Sequence, residues 1–300
     1  MKIVVTGSLG NISKPLTEEL VQKGHSVTVI SHNPERKKEI EALGASAAIG
    51  SMEDAKFLSA TFRGADAVYC MISAGNSFFN QDFDLMKYTG RLGNNYKQAI
   101  LQSSVKRVVF LSSIGAHTDK GNGLLAFYYH VEETLNELPS DVAITFMRPV
   151  GFYYNLLGFI NTIKTQGVIA TNYGGDVPKP WVSPIDIADA VAEELIINKP
   201  PNRKVRYVAS DVISCNQLAG LLGAAIGKPD LKWIIIPDEE LLKGMIAAGM
   251  NPKIAAGLVE MNAATNSSVL YEDYNRNKPT LGKVKLADFV KEFASVFQSN

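Results

Sequence analysis

Cysteine, histidine and net charge are all scarce in this sequence of 300 residues. Its two cysteines, Cys70 and Cys215, lie in separate apolar runs, which predicts buried free thiols in a reducing compartment and no disulfide framework. The four histidines have no metal-ligand spacing with cysteine or acidic partners, so we expect no metal site. Lysine plus arginine and aspartate plus glutamate each total 30, and this balance gives no support to nucleic-acid binding.

Long hydrophobic runs are missing as well. No uninterrupted apolar stretch reaches membrane-spanning length, and no signal-peptide pattern precedes the first predicted strand at residues 2–6. Hydrophobic residues still make up 46% of the chain, which is enough for a large core. We therefore expect a cytoplasmic protein that has neither a membrane nor a nucleic acid as its partner.

Short apolar runs alternate with helical patterns through the first half of the chain. Strands are predicted at residues 3–5, 26–30, 45–49, 67–72, 107–111 and 143–147. Apolar residues at helical spacing lie between them, for example Leu16 and Leu20 after the first strand and Leu92, Tyr96 and Ala99 before the fifth. Such alternating elements are joined by right-handed crossovers into a parallel sheet. The pattern predicts an α/β fold with a Rossmann-type doubly wound parallel sheet.

The second half of the chain is less regular. Glycine and proline mark a loop at 174–180, helices are predicted at 186–196, 218–226, 241–261 and 286–297, and strands at 205–208 and 233–236. We therefore expect two parts. Residues 1–150 would form a dinucleotide-binding Rossmann domain, and residues 151–300 a smaller C-terminal α/β substrate lobe that partly completes the same sheet.

The first strand leads directly into a glycine-containing loop with the sequence TGSLGNIS at residues 6–13. Gly7 allows a tight turn at the strand end, and Gly10 lets the backbone approach a pyrophosphate with no Cβ in the way. The helix that follows presents free N–H groups to the anion. Ser13 replaces the third glycine of the usual pattern, where it could pack closely or cap the helix. The loop predicts a dinucleotide-binding site.

The end of the second strand bears on which dinucleotide binds. NAD-preferring folds place a carboxylate there for the ribose hydroxyls. Here the strand tip has no acidic residue, and His32, Asn33, Arg36 and Lys37 offer donors for a 2′-phosphate. Two alternatives stay open: Glu35 could turn back to the ribose, and the two cations could be solvated residues of a surface helix. The pattern favours NADP(H) over NAD(H).

Five segments follow one another in an order and spacing typical of one known family. They are the loop at residues 6–13, GADAV at 64–68, VKRVVFLSS at 105–113, RPVGFYYN at 148–155 and VSPIDIA at 182–188. With these segments the chain resembles the NmrA-like branch of atypical short-chain dehydrogenases/reductases, which includes quinone oxidoreductases and NADP-sensing regulators. The resemblance extends over most of the chain.

The resemblance implies roles for residues along a cleft at the strand ends. Cofactor contacts are implied in the glycine loop, by Gly7, Ser8, Gly10, Asn11 and Ile12, and after the second strand, by His32, Asn33 and Arg36. After the fourth strand they are implied for Met71, Ile72 and Ser73. Beside the nicotinamide they are implied for Ser112 and Ile114, and on its carboxamide side for Pro149, Val150 and Phe152. These positions agree with the rule that ligands bind at the carboxyl ends of parallel strands.

The catalytic residues are less clearly indicated. Short-chain dehydrogenases use Tyr-x-x-x-Lys, in which the lysine lowers the pKa of the tyrosine that protonates the carbonyl oxygen. Here Tyr128 is followed four residues later by Glu132, and Tyr129 likewise has a glutamate in place of the lysine. Tyr128, Tyr129 or His130 could still donate a proton, with Ser112 or Ser113 polarising the carbonyl. Packing roles for these residues stay open.

Several functions are compatible with these features. We expect an NAD(P)H-dependent oxidoreductase that transfers a hydride to a quinone or small conjugated carbonyl. The aromatic residues at 152–154 and Trp181 could wall a flat substrate or pack the C-terminal lobe. The alternative is a non-enzymatic NADP(H)-binding redox sensor that acts through a regulatory protein partner, and the missing lysine supports it. The same absence disfavours a sugar-nucleotide epimerase or reductase. A small-molecule substrate is expected, and a homodimer is compatible with the sequence.

Overall fold

The computed structural model describes residues 1–299. The strands are β1 (Lys2–Val5), β2 (Ser26–Ser31), β3 (Ser46–Ile49), β4 (Ala67–Cys70), β5 (Arg107–Leu111), β6 (Ala143–Pro149), β7 (Gly151–Phe152), β8 (Val168–Thr171), β9 (Lys179–Val182), β10 (Arg203–Val208), β11 (Asp211–Ile213) and β12 (Lys232–Ile235). The helices are α1 (Ser13–Gln22), α2 (Lys37–Ala42), α3 (Ala55–Phe62), α4 (Leu85–Ser103), α5 (Ala126–Asn136), α6 (Ile160–Gln166), α7 (Pro184–Ile196), α8 (Cys215–Ala225), α9 (Asp238–Ala247), α10 (Pro252–Ala264), α11 (Ser268–Arg276) and α12 (Leu286–Ser299).

The central sheet has seven parallel strands in the order β10-β6-β5-β4-β1-β2-β3. In its middle, Val4 of β1 pairs with Thr28 of β2 on one side and with Val68 of β4 on the other. The strand order reverses between β1 and β4, and such a reversal opens a crevice at the carboxyl ends of the two strands. The sheet confirms the predicted doubly wound α/β fold.

Side chains alternate along each strand and divide the core of the sheet into two layers. On one face, Ile3 and Val5 belong to a cluster with Leu16 and Leu20 of α1. On the other face, Val4 belongs to a cluster that α3, α4 and α5 cover. Because helices cover both faces, the central strands are apolar in both registers.

The second half of the chain contributes to this sheet and also builds a separate layer. β10 pairs with β6 along its whole length, and α7 packs beside α1. The remaining strands form two small sheets, β11-β9-β7 and β12-β8. They enclose a third apolar cluster that includes Trp181, Trp233, Phe289 and Phe293.

The predicted loop at 174–180 ends two residues earlier than expected. Lys179 and Pro180 begin β9, and Pro180 pairs with Val212 of β11. On the other side, β7 pairs only with Trp181 and Val182 of β9. The N–H that proline lacks is therefore not required in that ladder.

The predicted helix at 241–261 is divided into α9 and α10. Gly249 has φ +90° in the connecting turn, and Pro252 is the first residue of α10. Asn251 Nδ2 donates to the carbonyl oxygens of Asn80 and Gln81 at 3.0 and 2.9 Å, which fastens α10 to the loop after β4. α11 is a further helix that the sequence pattern did not predict. Across residues 1–299, no helix combines the length and apolarity needed to cross a membrane.

Candidate functional site

The loop between β1 and α1 turns sharply and leaves backbone donors free. Gly7 has φ +90°, and a Cβ added there would lie 2.6 Å from Ser13 Oγ. Only glycine therefore fits at this position. Gly10 is exposed, and its added Cβ would have only the Gly7 carbonyl oxygen nearby, at 3.2 Å. The N–H groups of Asn11 and Ile12 donate to no described residue.

Ser13, at the position of the third glycine, binds the helix to the strand. Its Oγ donates to the carbonyl oxygen of Thr6 at 2.8 Å, so α1 lies close to the end of β1. The residue that precedes the helix is Ile12, which makes no side-chain cap. The expectation that Ser13 could cap the helix is therefore wrong. Ser13 is the first residue of α1 and not the residue that precedes it, and its hydroxyl donates back to the strand.

A cleft of about 430 Å³ lies beside this loop, and we call it the loop-side cleft. Its lining includes Gly7, Ser8, Ser31, Ser73 and Tyr88. Ser8 Oγ donates to Ser31 Oγ at 2.9 Å, which connects the ends of β1 and β2. Tyr88 donates its hydroxyl to the Ser73 carbonyl oxygen at 3.0 Å. The cleft thus lies where β1, β2 and β4 end.

Three of the four residues predicted to offer donors to a 2′-phosphate are in different environments. His32 is exposed and lines the loop-side cleft. Asn33 Oδ1 accepts from the Glu35 N–H at 2.9 Å and so stabilises the turn before α2. Arg36 pairs with Glu39 at 2.6 Å, and neither Arg36 nor Asn33 is among the described residues that line the cleft. Arg36 would have to leave Glu39 to reach a phosphate.

A second cavity, which we call the main cavity, encloses about 410 Å³ between the sheet and helices α10 and α11. On the sheet side, the lining includes the predicted residues Ile72, Ser112, Ile114, Val150 and Phe152. Ala74 lines both the main cavity and the loop-side cleft, so the two adjoin at the end of β4.

Two predicted residues, Met71 and Pro149, are not among the described lining of either space and instead support the strand ends. Met71 N donates to Thr6 Oγ1 at 3.0 Å, and the Pro149 carbonyl accepts from Ile114 N at 2.9 Å. These bonds hold neighbouring strand ends in register. Both residues thus support the site through their backbone groups, which fix the positions of the strand ends.

The opposite side of the main cavity is mostly aromatic and apolar. Tyr154, Tyr173 and Trp181 line it from the second half of the chain, and Met261 and Tyr271 line it from α10 and α11. Flat rings of this kind offer a large apolar surface to a planar ligand. The aromatic wall predicted from residues 152–154 and Trp181 is present in part, since Tyr153 packs instead against Phe289.

Tyr128, Tyr129 and His130 occupy consecutive positions of α5 and face different surroundings. Tyr128 lines the main cavity and packs on Phe127 with ring centroids 4.0 Å apart. Its hydroxyl bonds to no described residue, and burial, together with the neighbouring Tyr154, raises its pKa. Tyr129 and His130 contact each other edge to face at 5.4 Å, and both are outside the described lining of the cavity.

A buried ionic network lies behind Ser112. Ser112 Oγ donates to Glu132 Oε1 at 2.5 Å. Arg148 donates to both oxygens of Glu132, at 3.0 and 2.6 Å, and also to Asp273 Oδ2 at 3.0 Å. The Tyr207 hydroxyl donates to the same Asp273 oxygen at 2.6 Å. The proton of Ser112 is therefore directed to Glu132, the residue four positions after Tyr128, where a Tyr-x-x-x-Lys motif would have its lysine.

The model of the NmrA-like family matches residues 1–289. The chain belongs to the NmrA-like family. The match extends over both halves of the molecule and confirms the resemblance that the five sequence segments carried.

Relatives of this NmrA-like chain include named reductases. It is 24% identical over 298 residues to the NAD(P)H azoreductase of Xenophilus azovorans, a match that covers 98% of this chain and 99% of the relative. It is similar to the NADPH-dependent quinone oxidoreductase of Escherichia coli complexed with NADPH, with TM-score 0.77, 20% identity, and coverage of 97% and 99%. It is also similar to the triphenylmethane reductase of Citrobacter sp. complexed with NADP(H), with TM-score 0.75, 18% identity, and coverage of 97% and 99%. The two structural likenesses show a shared fold.

The sequence pattern of this NmrA-like chain did not identify Glu132 and Arg148 as partners. One signal was present, because Arg148 follows the apolar run at 143–147 on a strand that the sheet buries, and a buried charge requires a partner. Asp273 is 125 residues from Arg148 and belongs to the helix that the pattern missed. The network therefore depends on contacts that no local pattern encodes.

Proposed function

We propose that this NmrA-like protein is an NAD(P)H-dependent oxidoreductase that transfers a hydride to a flat conjugated acceptor such as a quinone. The observation that carries the proposal is the main cavity, which has an aromatic wall of Tyr154, Tyr173 and Trp181 and adjoins the loop-side cleft at Ala74. A mostly apolar cavity with a few polar groups is typical of small-molecule sites. The names of an azoreductase and a quinone oxidoreductase among the similar proteins support the same chemistry.

NADP(H) is the proposed cofactor, in preference to NAD(H). The loop suits a pyrophosphate, because Gly10 is exposed and the N–H groups of Asn11 and Ile12 have no partner among the described residues. His32 and Arg36 are the proposed partners of the 2′-phosphate. The two similar structures hold NADPH and NADP(H), which supports this preference. When bound, the nicotinamide supplies the hydride.

The residues at the strand ends are proposed to position the reacting groups. Ser112, Ile114 and Val150 line the main cavity from β5 and β6 and would orient the acceptor against the cofactor. Because Ser112 donates to Glu132, it acts in this proposal as a positioning group and not as the proton donor. Its lone pairs remain able to accept a hydrogen bond.

Of the candidate proton donors, Tyr128 is the one we place beside the acceptor, since its side chain lines the cavity and its hydroxyl donates to no described residue. Its raised pKa and the glutamate at the lysine position make it a weak acid. A conjugated acceptor whose reduced form is stabilised by delocalisation needs little proton donation, and this favours quinones over simple ketones. Tyr129 and His130 are not proposed as donors, because the described lining of the cavity does not include them.

Titration calorimetry with NADPH and NADH, followed by nicotinamide absorbance with a panel of quinones and other conjugated carbonyls, tests the proposal. We expect tighter binding of NADPH than of NADH and quinone-dependent oxidation of NADPH. Tight binding with no turnover of any acceptor would overturn the proposal and favour the NADP(H)-sensing alternative.

A further inference from the structure

One buried lysine in the wall of the main cavity has no carboxylate partner. Lys179, at the start of β9, is 5% exposed. Its Nζ donates to the Thr265 carbonyl oxygen at 2.6 Å and to Asn266 Oδ1 at 3.2 Å, both of which are neutral acceptors. An ammonium has three N–H donors, so one donor has no acceptor among the described residues. Burial lowers the pKa of Lys179, as expected for a cation removed from water.

Lys179 lies at the junction of two spaces. Beyond it is an outer cavity of about 380 Å³, which is lined by the turn between α10 and α11 and by residues 177–180. Lys179, Pro180, Thr265 and Tyr271 line both the main and the outer cavity. A ligand with its ring in the main cavity could therefore extend past Lys179 into the outer cavity.

The charge distribution around the two cavities is one-sided. Among the described residues that line them, Lys179 is the sole charged side chain, and no aspartate or glutamate is present. By contrast, the other buried cation near the main cavity, Arg148, has two carboxylates, those of Glu132 and Asp273. A buried charge without a counter-ion is costly, and a bound anion would remove that cost.

We propose that Lys179 binds an anionic substituent, a carboxylate or sulfonate, on the conjugated acceptor, with the acceptor ring in the main cavity and the anion at the entrance to the outer cavity. This inference rests on the proposed reductase function and narrows its substrate class to acidic aromatic acceptors. Lys179 is then a specificity-determining residue. Its hydrogen-bond partners belong to the α10–α11 turn and include none of the predicted cofactor contacts, so in this proposal it meets a part of the substrate away from the reacting centre.

Two matched acceptors test the proposal: naphthoquinone and naphthoquinone sulfonate, assayed with NADPH and the full chain. In Lys179→Met, which keeps a long apolar side chain, we expect the KM for the sulfonate to rise about tenfold to a hundredfold. The KM for the uncharged quinone and both kcat values should change by less than about threefold. Lys179→Arg should retain part of the preference for the sulfonate over the uncharged quinone, because arginine keeps the positive charge. Lys232→Met, at an exposed lysine on β12, is the surface control.

A merely structural role of Lys179 gives a different result. If Lys179 served only to bond the α10–α11 turn, the loss of these bonds would affect both quinones equally. Equal losses that Lys179→Arg does not reverse selectively for the sulfonate would overturn the proposal. A fall in kcat for both acceptors with unchanged KM would also overturn it, since that pattern belongs to a group that takes part in the chemistry.

Binding of a non-reducible probe separates this inference from the proposed function. Calorimetry with naphthalene sulfonate and naphthalene methanol, on the protein saturated with NADP⁺, measures the anion preference without turnover. Lys179-dependent binding of the sulfonate with no reduction of any quinone would leave the anion site standing and overturn the reductase proposal. Reduction of both quinones, with no effect of Lys179→Met on the binding of either probe, would overturn the anion site and leave the reductase proposal standing.

Discussion

The two ends of the cleft obtain their polar surfaces in different ways. At the loop end, the polar groups belong to the backbone: Gly7 turns the chain with φ +90°, and the N–H groups of Asn11 and Ile12 have no described partner. At the other end, apart from the Tyr128 hydroxyl and one N–H of Lys179, the polar groups are side chains that already have partners, with Ser112 donating to Glu132 at 2.5 Å. The loop end is therefore ready to receive an anion, whereas the other end presents a mostly apolar surface.

Under the proposed function, this difference separates binding of the cofactor from selection of the acceptor. Free backbone donors at a helix start can hold a charged cofactor without any change of side-chain partners. A network of paired side chains contributes rigidity and leaves shape, hydrophobic contact and, in our proposal, the charge of Lys179 to select the acceptor. Each substitution below changes one end and leaves the other as it is.

The largest effect is expected at the loop. Gly10→Val places a branched side chain on the exposed surface where the pyrophosphate would approach, and NADPH affinity should fall on the order of a hundredfold or more. The fold should persist, because Gly10 is exposed and the one tight contact of an added Cβ, 3.2 Å to the Gly7 carbonyl oxygen, lies within the loop itself. Calorimetry measures the affinity, and circular dichroism measures the fold. Gly220→Val, at an exposed position of α8 with open space around it, is the matched control. Retained NADPH binding in Gly10→Val would contradict the assignment of the loop.

The second-largest effect is expected on the stability of the protein, from a change in the buried ionic network behind Ser112. Glu132→Gln removes one charge from a buried pair, which leaves Arg148 with Asp273 alone, and should lower the free energy of unfolding by about 3 kcal/mol. Urea denaturation measures this change. Glu133→Gln, at the exposed neighbouring position, should stay within about 0.5 kcal/mol of the unmodified protein. If the two variants were equally stable, the network would not be the rigid element that distinguishes this end of the cleft.

A smaller effect is expected at the end of β2. Arg36→Ala should weaken NADPH binding about tenfold and leave NADH binding unchanged, because only NADPH carries the 2′-phosphate. The side chain must first leave Glu39, which limits the gain from the phosphate contact. Paired titrations with the two cofactors give the ratio, and Lys38→Ala, at an exposed lysine two residues away, controls for general charge loss. Equal losses for NADPH and NADH would remove the proposed 2′-phosphate role.

The smallest effect is expected at Tyr128. Its hydroxyl has no described hydrogen-bond partner and its pKa is raised, so Tyr128→Phe should lower kcat for quinones by less than about threefold. Because the raised pKa keeps the phenol neutral at and above neutral pH, the pH profile of kcat should show no step from this residue below about pH 10. A loss of a hundredfold or more would identify Tyr128 as the proton donor instead.

Local chemistry made much of the first half predictable. The six predicted strands correspond to β1 through β6, and the turn at Gly7 lies where the glycine loop indicated. The α5 residues show the limit of this kind of inference. Helix periodicity places Tyr128, Tyr129 and His130 in three directions, and only the packing of α5 against the sheet selects Tyr128 for the cavity.

Residue patterns alone predicted the parallel sheet and the glycine turn, because strand patterning and backbone conformation depend on neighbouring residues. The order and spacing of five segments indicated the family. Packing of the whole chain, in contrast, was needed to pair Glu132 with Arg148 behind Ser112 and to enclose Lys179 beside the α10–α11 turn. Thr265 is 86 residues from Lys179, and this contact forms only when distant segments of the second half of the chain pack against each other. The free energy of a buried charge depends on which groups surround it, and that is a property of packing and not of local sequence.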